Sequence, residues 1–254
     1  MLAEASRHAQ QKLERLNQNG LQTGLKINKK KTESLRINAV NNSAFQVDHE
    51  DIKDVTSFTY LGATVTTTGG ASEDIIKRIG KARHAYHSLR KIWNSSVLRR
   101  KLKMRIFQAN VVSVLLYGCT TWKMTDADEQ KLNVFMHTCL RRILKIFWPT
   151  RMSNEEVRRI AGIQKVSDQI RIRRWKFIGH ILRMEGDQNQ KVALRWTPAT
   201  GKRRRGRPRE TWRRTVERER LKLGFTSWEG AGAAAHDRGY WRKLIRCPTL
   251  HPRR

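Results

Sequence analysis

The acidic residues decide whether this chain could carry out metal-dependent chemistry, and only 22 are present among its 254 residues. Four of them, the densest group, fall between Asp48 and Asp54, in a stretch flanked by two predicted strands. Phosphoryl transfer by two metal ions needs carboxylates that are held together around both ions. The spacing of these four is typical of a solvated turn instead, so we predict that the chain has no metal site.

Histidine and cysteine side chains offer two other kinds of reactive site. His84 and His87 lie three residues apart on a predicted helix, but no third metal ligand is evident near them in the sequence. His137 and Cys139 are two residues apart and therefore face different sides of a helix, which favours a buried structural cysteine. The three cysteines exclude a four-cysteine zinc site and indicate a reducing compartment.

A basic run over residues 202–209 is the strongest constellation in the sequence. Its cationic members are Lys202, Arg203, Arg204, Arg205, Arg207 and Arg209. The segment Arg205-Gly206-Arg207-Pro208 resembles the core of an AT-hook, which lays arginines along an A·T-rich minor groove. Trp196 and Trp212 flank the run, and unpaired bases stack on such rings. We predict nucleic-acid contact here; a nuclear-import signal and a solvated charge run are the alternatives.

A second cationic cluster surrounds Trp175 on a predicted helix. The basic members of this cluster are Arg171, Arg173, Arg174 and Lys176. Trp175 shares an apolar face with Ile172 and Ile178, whereas Arg173 and Lys176 fall on the opposite side, where they could meet phosphates. We expect Arg173, Arg174 and Trp175 to belong to a nucleic-acid contact, with an ordinary solvated face as the alternative.

The net charge points to the same class of partner. The chain carries 53 basic and 22 acidic side chains, which gives a formal charge of +31. Of these, 31 basic and 10 acidic side chains lie in residues 141–254. Nucleic acid is the commonest polyanion that could neutralise such a charge, and an anionic membrane surface comes second. Because no apolar run approaches a bilayer span and no signal peptide is visible, we expect no membrane partner and a nuclear or cytoplasmic location.

The elements that would position these residues predict an α+β fold that is mainly α. A helix over 3–19 precedes alternating segments within 25–65, which predict a small antiparallel sheet near the N-terminus. Helical periodicity then dominates. Three predicted helices begin after the capping residues Ser72, Thr125 and Ser153, and the one after Thr125 has Phe147 among its buried residues. Four more are predicted over residues 97–118, 167–184, 211–223 and 231–245.

Five short segments resemble reverse transcriptases of non-long-terminal-repeat (LINE-like) retrotransposons. Residues 24–33 (GLKINKKKTE) resemble the motif that follows the catalytic aspartates, and residues 58–62 (FTYLG) resemble the next one, the primer grip. Residues 116–122 (LYGCTTW), 174–184 (RWKFIGHILRM) and 205–212 (RGRPRETW) resemble segments downstream of the polymerase motifs. All five occur in the order in which the family has them.

The resemblance implies a domain organisation for the chain. The implied segments are a palm remnant over 1–70, a helical thumb-like domain over 71–148, a helical connection over 149–185, a basic flexible linker over 186–210 and basic C-terminal helices over 211–254. By the same resemblance Lys31 assists proton transfer to the pyrophosphate, and the primer's 3′ end is held by a second set of residues. That set is Phe58, Tyr60, Leu61 and Gly62.

The family's catalytic aspartates have no counterpart in this sequence. They include an adjacent Asp-Asp pair, and no such pair occurs here. Because positioning residues cannot replace the ligands of the family's Mg²⁺ ions, we predict no catalytic residue and no cofactor bound by this chain. The favoured hypothesis is a truncated fragment of a reverse transcriptase, an RNA-directed DNA polymerase, that cannot polymerise alone but binds template RNA, RNA–DNA hybrid or target DNA.

Two other hypotheses remain open. A free-standing DNA-binding protein could work through the AT-hook-like segment at 205–208, and such a protein would prefer A·T-rich duplex. A thumb-derived protein would prefer RNA–DNA hybrid instead. The third hypothesis is a chain without a selected function.

Overall fold

The fold is mainly helical, with short strands near the N-terminus. A computed structural model describes residues 1, 3, 5–37, 39, 43–67, 70–186, 188–195 and 211–246. The backbone divides into two compact units, Met1–Asp74 and Ile75–Arg254. Strands occur in the first unit and helices make up the regular structure of the second, which confirms the predicted α+β, mainly α class.

The first unit combines one helix with paired short strands. Its elements are α1 (Ser6–Gln22), β1 (Glu33–Ser34), β2 (Gln46–Val47), β3 (Glu50–Asp51), β4 (Lys53–Asp54), β5 (Ser57–Tyr60) and β6 (Ala63–Thr66). The pairs β2–β3 and β5–β6 are antiparallel, as predicted, whereas β1 and β4 pair in parallel. A small apolar cluster of Leu13, Val47 and Ile52 joins α1 to these strands.

The β5–β6 hairpin contains the segment that resembles a primer grip. Tyr60 pairs with Ala63, so two residues form the turn, and both have positive φ: Leu61 at 48° and Gly62 at 81°. Such a turn matches the twist of a hairpin, but only glycine and, to a lesser degree, asparagine adopt this conformation readily. The backbone of Leu61 is therefore strained. Its side chain lies at the tip of the hairpin and is 77% exposed.

Replacing Leu61 with asparagine is expected to stabilise the hairpin by about 1 kcal/mol, the cost of a left-handed conformation in a branched L-residue. Native-state hydrogen exchange of the β5 and β6 amides should then slow about fivefold. Faster exchange in Leu61→Asn would show that the leucine side chain contributes a contact larger than the strain it carries.

The second unit consists of helices, and three of them begin where the sequence predicts a helix start. Its α-helices are α2 (Ser72–Ser88, shared with the end of the first unit), α3 (Arg90–Asn94), α4 (Arg100–Phe107), α5 (Ser113–Leu115), α6 (Asp126–Leu144), α7 (Asn154–Ala161), α8 (Val166–Leu182), α9 (Asn189–Arg195), α10 (Trp212–Lys222), α11 (Trp228–His236) and α12 (Arg238–Leu244). Thr125, Ser153 and Thr211 each accept a backbone N–H bond at the start of α6, α7 and α10. These three predicted helix starts are confirmed.

The predicted helix over 97–118 is shorter in the structure, and its hydrogen-bond pattern changes midway. The chain forms α4, then a five-residue π-helical segment, Gln108–Val112, and then α5. Ser113 Oγ donates to the Ala109 carbonyl at 2.5 Å, a back-bond that competes with the regular helical ladder. Phe107, Val111 and Leu115 are nevertheless fully buried, so this segment is a central core element, as its apolar composition predicts.

The prediction that Phe147 is buried on α6 is also wrong. The helix ends at Leu144 because Lys145 adopts a left-handed conformation with a φ of 57°. Trp148 precedes Pro149, and the residue before a proline disfavours helical geometry, so the helix cannot run through this segment. Phe147 consequently lies outside the core with 59% of its surface exposed.

Two further boundaries differ near the C-terminus. The segment predicted as a flexible linker over 186–210 contains the helix α9, and residues 196–210 lie outside the described part of the chain. The predicted helix over 231–245 is two helices, because Asp237 takes an extended conformation between α11 and α12 and accepts the N–H groups of Gly239 and Tyr240. Across the described ranges, no helix is long and apolar enough to cross a membrane.

Candidate nucleic-acid interface

A basic cleft lies between α8 and α12 in the second unit. Five lysine and arginine side chains, one histidine and one tryptophan line this cleft. They are Lys176, His180, Arg183, Arg238, Trp241, Arg242 and Arg246. Residues three and four apart lie on one side of a helix, so Lys176 and His180 of α8 share one side, and Arg238 and Arg242 of α12 share another. Arg183 and Arg246 follow the C-terminal ends of these two helices. The cleft has a volume of about 680 Å³.

The two helices approach closely because α8 has a glycine where they meet. A Cβ atom on Gly179 would lie 2.2 Å from the Nε1 atom of Trp241, which is closer than real Cβ contacts allow. Trp241 is buried, and its indole donates a hydrogen bond of 3.1 Å to the Trp175 carbonyl. Helix packing therefore requires a glycine at position 179 of the segment 174–184. The contact between Gly179 and Trp241 forms one wall of the basic cleft.

The charged side chains that line the basic cleft are cationic. No carboxylate lines it among the residues that the structure describes. Burial, with the nearby guanidinium groups of Arg238 and Arg242, lowers the pKa of Arg183, which donates a 2.9 Å hydrogen bond to the Ala235 carbonyl. Like charges held together raise the free energy of the empty cleft, and a bound anion would relieve this repulsion.

The donor set of the basic cleft suits phosphate groups. Guanidinium groups present planar forks of N–H donors that match phosphate oxygens, and such charge-assisted bonds are stronger than neutral ones. Within the described ranges, no group of three or more His, Cys, Asp and Glu side chains could hold a metal ion. The arrangement can therefore bind an anionic ligand.

Substituting alanine for Gly179 is expected to destabilise the second unit by about 1–3 kcal/mol, the usual cost of overpacking. The added methyl group must displace Trp241 and with it α12, so affinity for anions should fall as well. Thermal denaturation and binding measured on the same protein test both effects. Gly80→Ala is the control, because its Cβ would meet nothing within 4 Å and alanine favours a helix. Equal stability of the two variants would contradict the packing.

Two residues predicted to contact nucleic acid are core residues instead. Arg174 is 1% exposed, and its guanidinium donates to Glu219 Oε1 at 2.5 Å and to the Trp122 carbonyl at 3.1 Å. Trp175 is fully buried and donates its indole N–H to Glu219 Oε2 at 2.8 Å. The prediction for these two residues is wrong, because both are buried and donate to the Glu219 carboxylate on α10.

Arg173 and Trp212 are both partly buried. The Arg173 guanidinium donates to the Leu116 carbonyl at 3.3 Å, and the Trp212 indole donates to the Thr120 carbonyl at 2.7 Å. Trp212 also packs against the apolar cluster of α8, α11 and α12. Together with the bond from Arg174 to the Trp122 carbonyl, these contacts tie α8 and the start of α10 to backbone carbonyl groups of the segment 116–122.

The other predicted contacts lie elsewhere. In the first unit Phe58 is half-buried on β5, Tyr60 is exposed beside the hairpin turn, and Lys31 is exposed with its backbone N–H bonded to Asn28. The six cationic side chains of the run 202–209 are outside the described residues, as is Trp196. Their predicted contacts with nucleic acid stay predictions.

The acidic stretch considered as a metal site forms ion pairs. Asp48 and Glu50 both lie near the Lys29 ammonium group, at 3.5 and 2.9 Å, and Asp54 lies 3.1 Å from the Arg36 guanidinium. The hydrogen bond to Glu50 raises the pKa of Lys29. Charge pairing at the surface accounts for these carboxylates.

The cysteines described by the structure are structural. Cys119 and Cys139 are buried free thiols, and burial raises the pKa of Cys119 to about 11 and that of Cys139 to about 12. Because the reactive species is the thiolate, both side chains are inert at neutral pH. The predicted burial of Cys139 is confirmed.

Most of the basic cleft was not singled out from the sequence. The spacing places Lys176 opposite the apolar face of α8, and Arg183, seven residues further along, directly follows the end of that helix. Arginines recur every fourth residue at Arg238, Arg242 and Arg246, along α12 and just past its end, a spacing that could have indicated one cationic face. The pairing of these two faces depends on Gly179 and Trp241, and periodicity alone does not reveal it.

Comparison with known proteins gives one relative and one short family match. The chain is 22% identical to a Caenorhabditis elegans protein whose name calls it uncharacterized and transposon-derived, over 264 aligned residues that cover 99% of this chain and 93% of the relative. This similarity supports a transposon-related origin for the chain. A family model described as "Domain of unknown function (DUF6451)" matches residues 85–117, from the end of α2 to the residue before Gly118. No solved structure matches the chain.

Proposed function

We propose that this chain is a nucleic-acid-binding protein derived from the C-terminal part of a LINE-like reverse transcriptase. The observation that carries the proposal is the lining of the basic cleft, which holds five lysine and arginine side chains and one histidine. Similarity to a transposon-derived protein over nearly the whole chain supports the retroelement origin. The five segments that resemble the reverse-transcriptase family support the finer assignment.

A polymeric ligand accounts for the charge better than a small anion does. A small anion in the basic cleft would neutralise a few charges, whereas the chain carries a formal net charge of +31. A phosphate backbone offers a negative charge at every nucleotide and releases its condensed counterions on binding. We therefore assign the basic cleft to the sugar–phosphate backbone of RNA or DNA, without base-specific readout.

The polymerase reaction itself is not part of the proposed function. In the proposal the hairpin tip at Tyr60 and Leu61 is a remnant of a primer grip, and the helices within 71–148 are a remnant of a thumb. Since the sequence has no Asp-Asp pair, we expect the purified chain to extend no primer, with or without Mg²⁺. Measurable nucleotide incorporation would contradict the derivation from an incomplete polymerase.

Equilibrium binding tests the proposal directly. Fluorescence anisotropy of the full chain with labelled RNA, RNA–DNA hybrid and A·T-rich DNA duplex should show binding that weakens steeply as salt rises. Preference for the hybrid supports the thumb-derived assignment. Preference for the A·T-rich duplex favours the hook at residues 205–208, which lies outside the described residues. Absence of binding, or binding that salt does not affect, would contradict the proposed function.

A further inference from the structure

An exposed aromatic loop connects α6 to α7. We name residues 145–151 the aromatic tip; within it Phe147 is 59% and Trp148 86% exposed, and both are large apolar rings. Trp148 is the most exposed tryptophan of the described residues, and Trp93, Trp122 and Trp241 are each at most 3% exposed. The fold buries these three indoles and leaves the indole of the aromatic tip in solvent.

The aromatic tip is held at both ends by hydrogen bonds. At its start the Ile146 N–H bonds to the Arg141 carbonyl at 2.9 Å, and within it the Thr150 N–H bonds to the Phe147 carbonyl at 2.9 Å. At its far end the Arg141 guanidinium donates to the Met152 carbonyl at 2.8 Å. A ligand that packs on the rings would therefore meet a loop that is already ordered, which lowers the entropic cost of binding.

The charges of the aromatic tip select an anionic ligand. Lys145 and Arg151 flank the two rings and are exposed, and the seven residues KIFWPTR contain no carboxylate. Rings that alternate with cations suit single-stranded nucleic acid, where bases stack on the rings and phosphates meet the cations. A duplex keeps its bases stacked on one another and offers the rings no free base face.

We infer that the aromatic tip stacks on unpaired bases, with Trp148 as the main platform and Lys145 and Arg151 on the adjacent phosphates. This inference rests on the proposed nucleic-acid binding and adds a preference for single-stranded segments, at a site separate from the basic cleft. An anionic membrane surface is the competing ligand. Interfacial membrane binding draws on a broad apolar face, and two rings on a seven-residue loop provide little area.

The test compares Trp148→Ala with Trp148→Phe in the full chain. Affinity for an oligo(dT) single strand should fall about 5- to 150-fold in Trp148→Ala, the range for loss of one stacked base, and should largely persist in Trp148→Phe. Affinity for a DNA duplex of the same length should change less than about twofold. Because the indole is 86% exposed, the melting temperature should stay the same, so reduced folding does not confuse the result.

Several outcomes would overturn the inference. Equal losses on single strand and duplex, or no loss on either, would remove the role of the ring in base stacking. Binding to phosphatidylserine-containing vesicles that disappears in Trp148→Ala, with oligo(dT) affinity unchanged, would assign the tip to a membrane surface. If the wild-type chain binds both nucleic acids and Trp148→Ala does not differ from it, this inference fails alone; if the wild type binds neither, the proposed function fails too.

Discussion

Reversing the charge of Arg238 and Arg242 together is expected to reduce nucleic-acid affinity by about 100-fold or more. Both side chains are exposed and line the basic cleft, so Arg238→Glu/Arg242→Glu would remove the two phosphate contacts that the proposed function assigns to them and would add repulsion. A hydrogen bond to a charged group contributes about 1.5–3 kcal/mol, which corresponds to at least tenfold in affinity for each contact. Anisotropy titrations of the purified variant and the wild type, at one salt concentration, measure the change.

The matched control separates a site from a general charge effect. Lys222→Glu/Lys243→Glu changes the net charge by the same amount, and both lysines are exposed residues of α10 and α12 that do not line the basic cleft. We expect this control to weaken binding only a few-fold, through the weaker long-range field. Equal losses in the two double variants would show that the excess charge acts diffusely and that the cleft is not a binding site.

Replacing Glu219 with alanine is expected to destabilise the second unit by about 3–5 kcal/mol. The substitution leaves the buried Arg174 guanidinium without its carboxylate partner, and breaking a buried ion pair on one side costs about this much. It also removes the acceptor of the Trp175 indole. For a unit of this size the melting temperature should fall by about 10 °C or more, as measured by calorimetry or circular dichroism.

An exposed ion pair provides the control for Glu219→Ala. Glu156 and Arg159 form a pair at 3.3 Å in which both side chains are largely exposed, and such pairs contribute at most about 1 kcal/mol. Glu156→Ala should therefore leave the melting temperature nearly unchanged. A similarly small effect of Glu219→Ala would show that Arg174 is accessible to solvent, and its assignment to the core would then be incorrect.

Local sequence signals predicted the helical framework well. The caps Thr125, Ser153 and Thr211 mark true helix starts, because a side-chain oxygen that accepts an early N–H bond is a local property. The inward face of α8 was also predictable from spacing: Ile172, Trp175 and Ile178 are all buried. These predictions needed no knowledge of distant contacts.

The errors arise where a distant residue or the backbone conformation of a single residue decides the outcome. Arg174 looks like a surface cation in a basic segment, but its partner Glu219 lies 45 residues further along the chain. Phe147 continues an apolar helical pattern, but the left-handed residue Lys145 ends the helix before it. A long-range ion pair and a left-handed lysine have no reliable local signal, and Pro149 limits the helix without fixing the residue at which it ends.

The candidate site shows the same division between local and distant information. The cationic faces of α8 and α12 are each visible as spacing in the sequence, whereas their meeting depends on the close contact of Gly179 with Trp241. The basic run at 202–209, the most conspicuous sequence feature, lies outside the described residues. The composition shows only an overall excess of positive charge, whereas the structure places part of that charge in one cleft.

The salt dependence of binding tests the central claim most directly. For duplex DNA the slope of log K against log salt is about −0.9 for each phosphate that the protein neutralises. We predict that Arg238→Gln/Arg242→Gln, which neutralises two charges of the basic cleft, makes the slope less steep, bringing it about 2 closer to zero than the slope of the wild type. An unchanged slope and affinity in a variant that melts at the wild-type temperature would contradict nucleic-acid binding by the cleft.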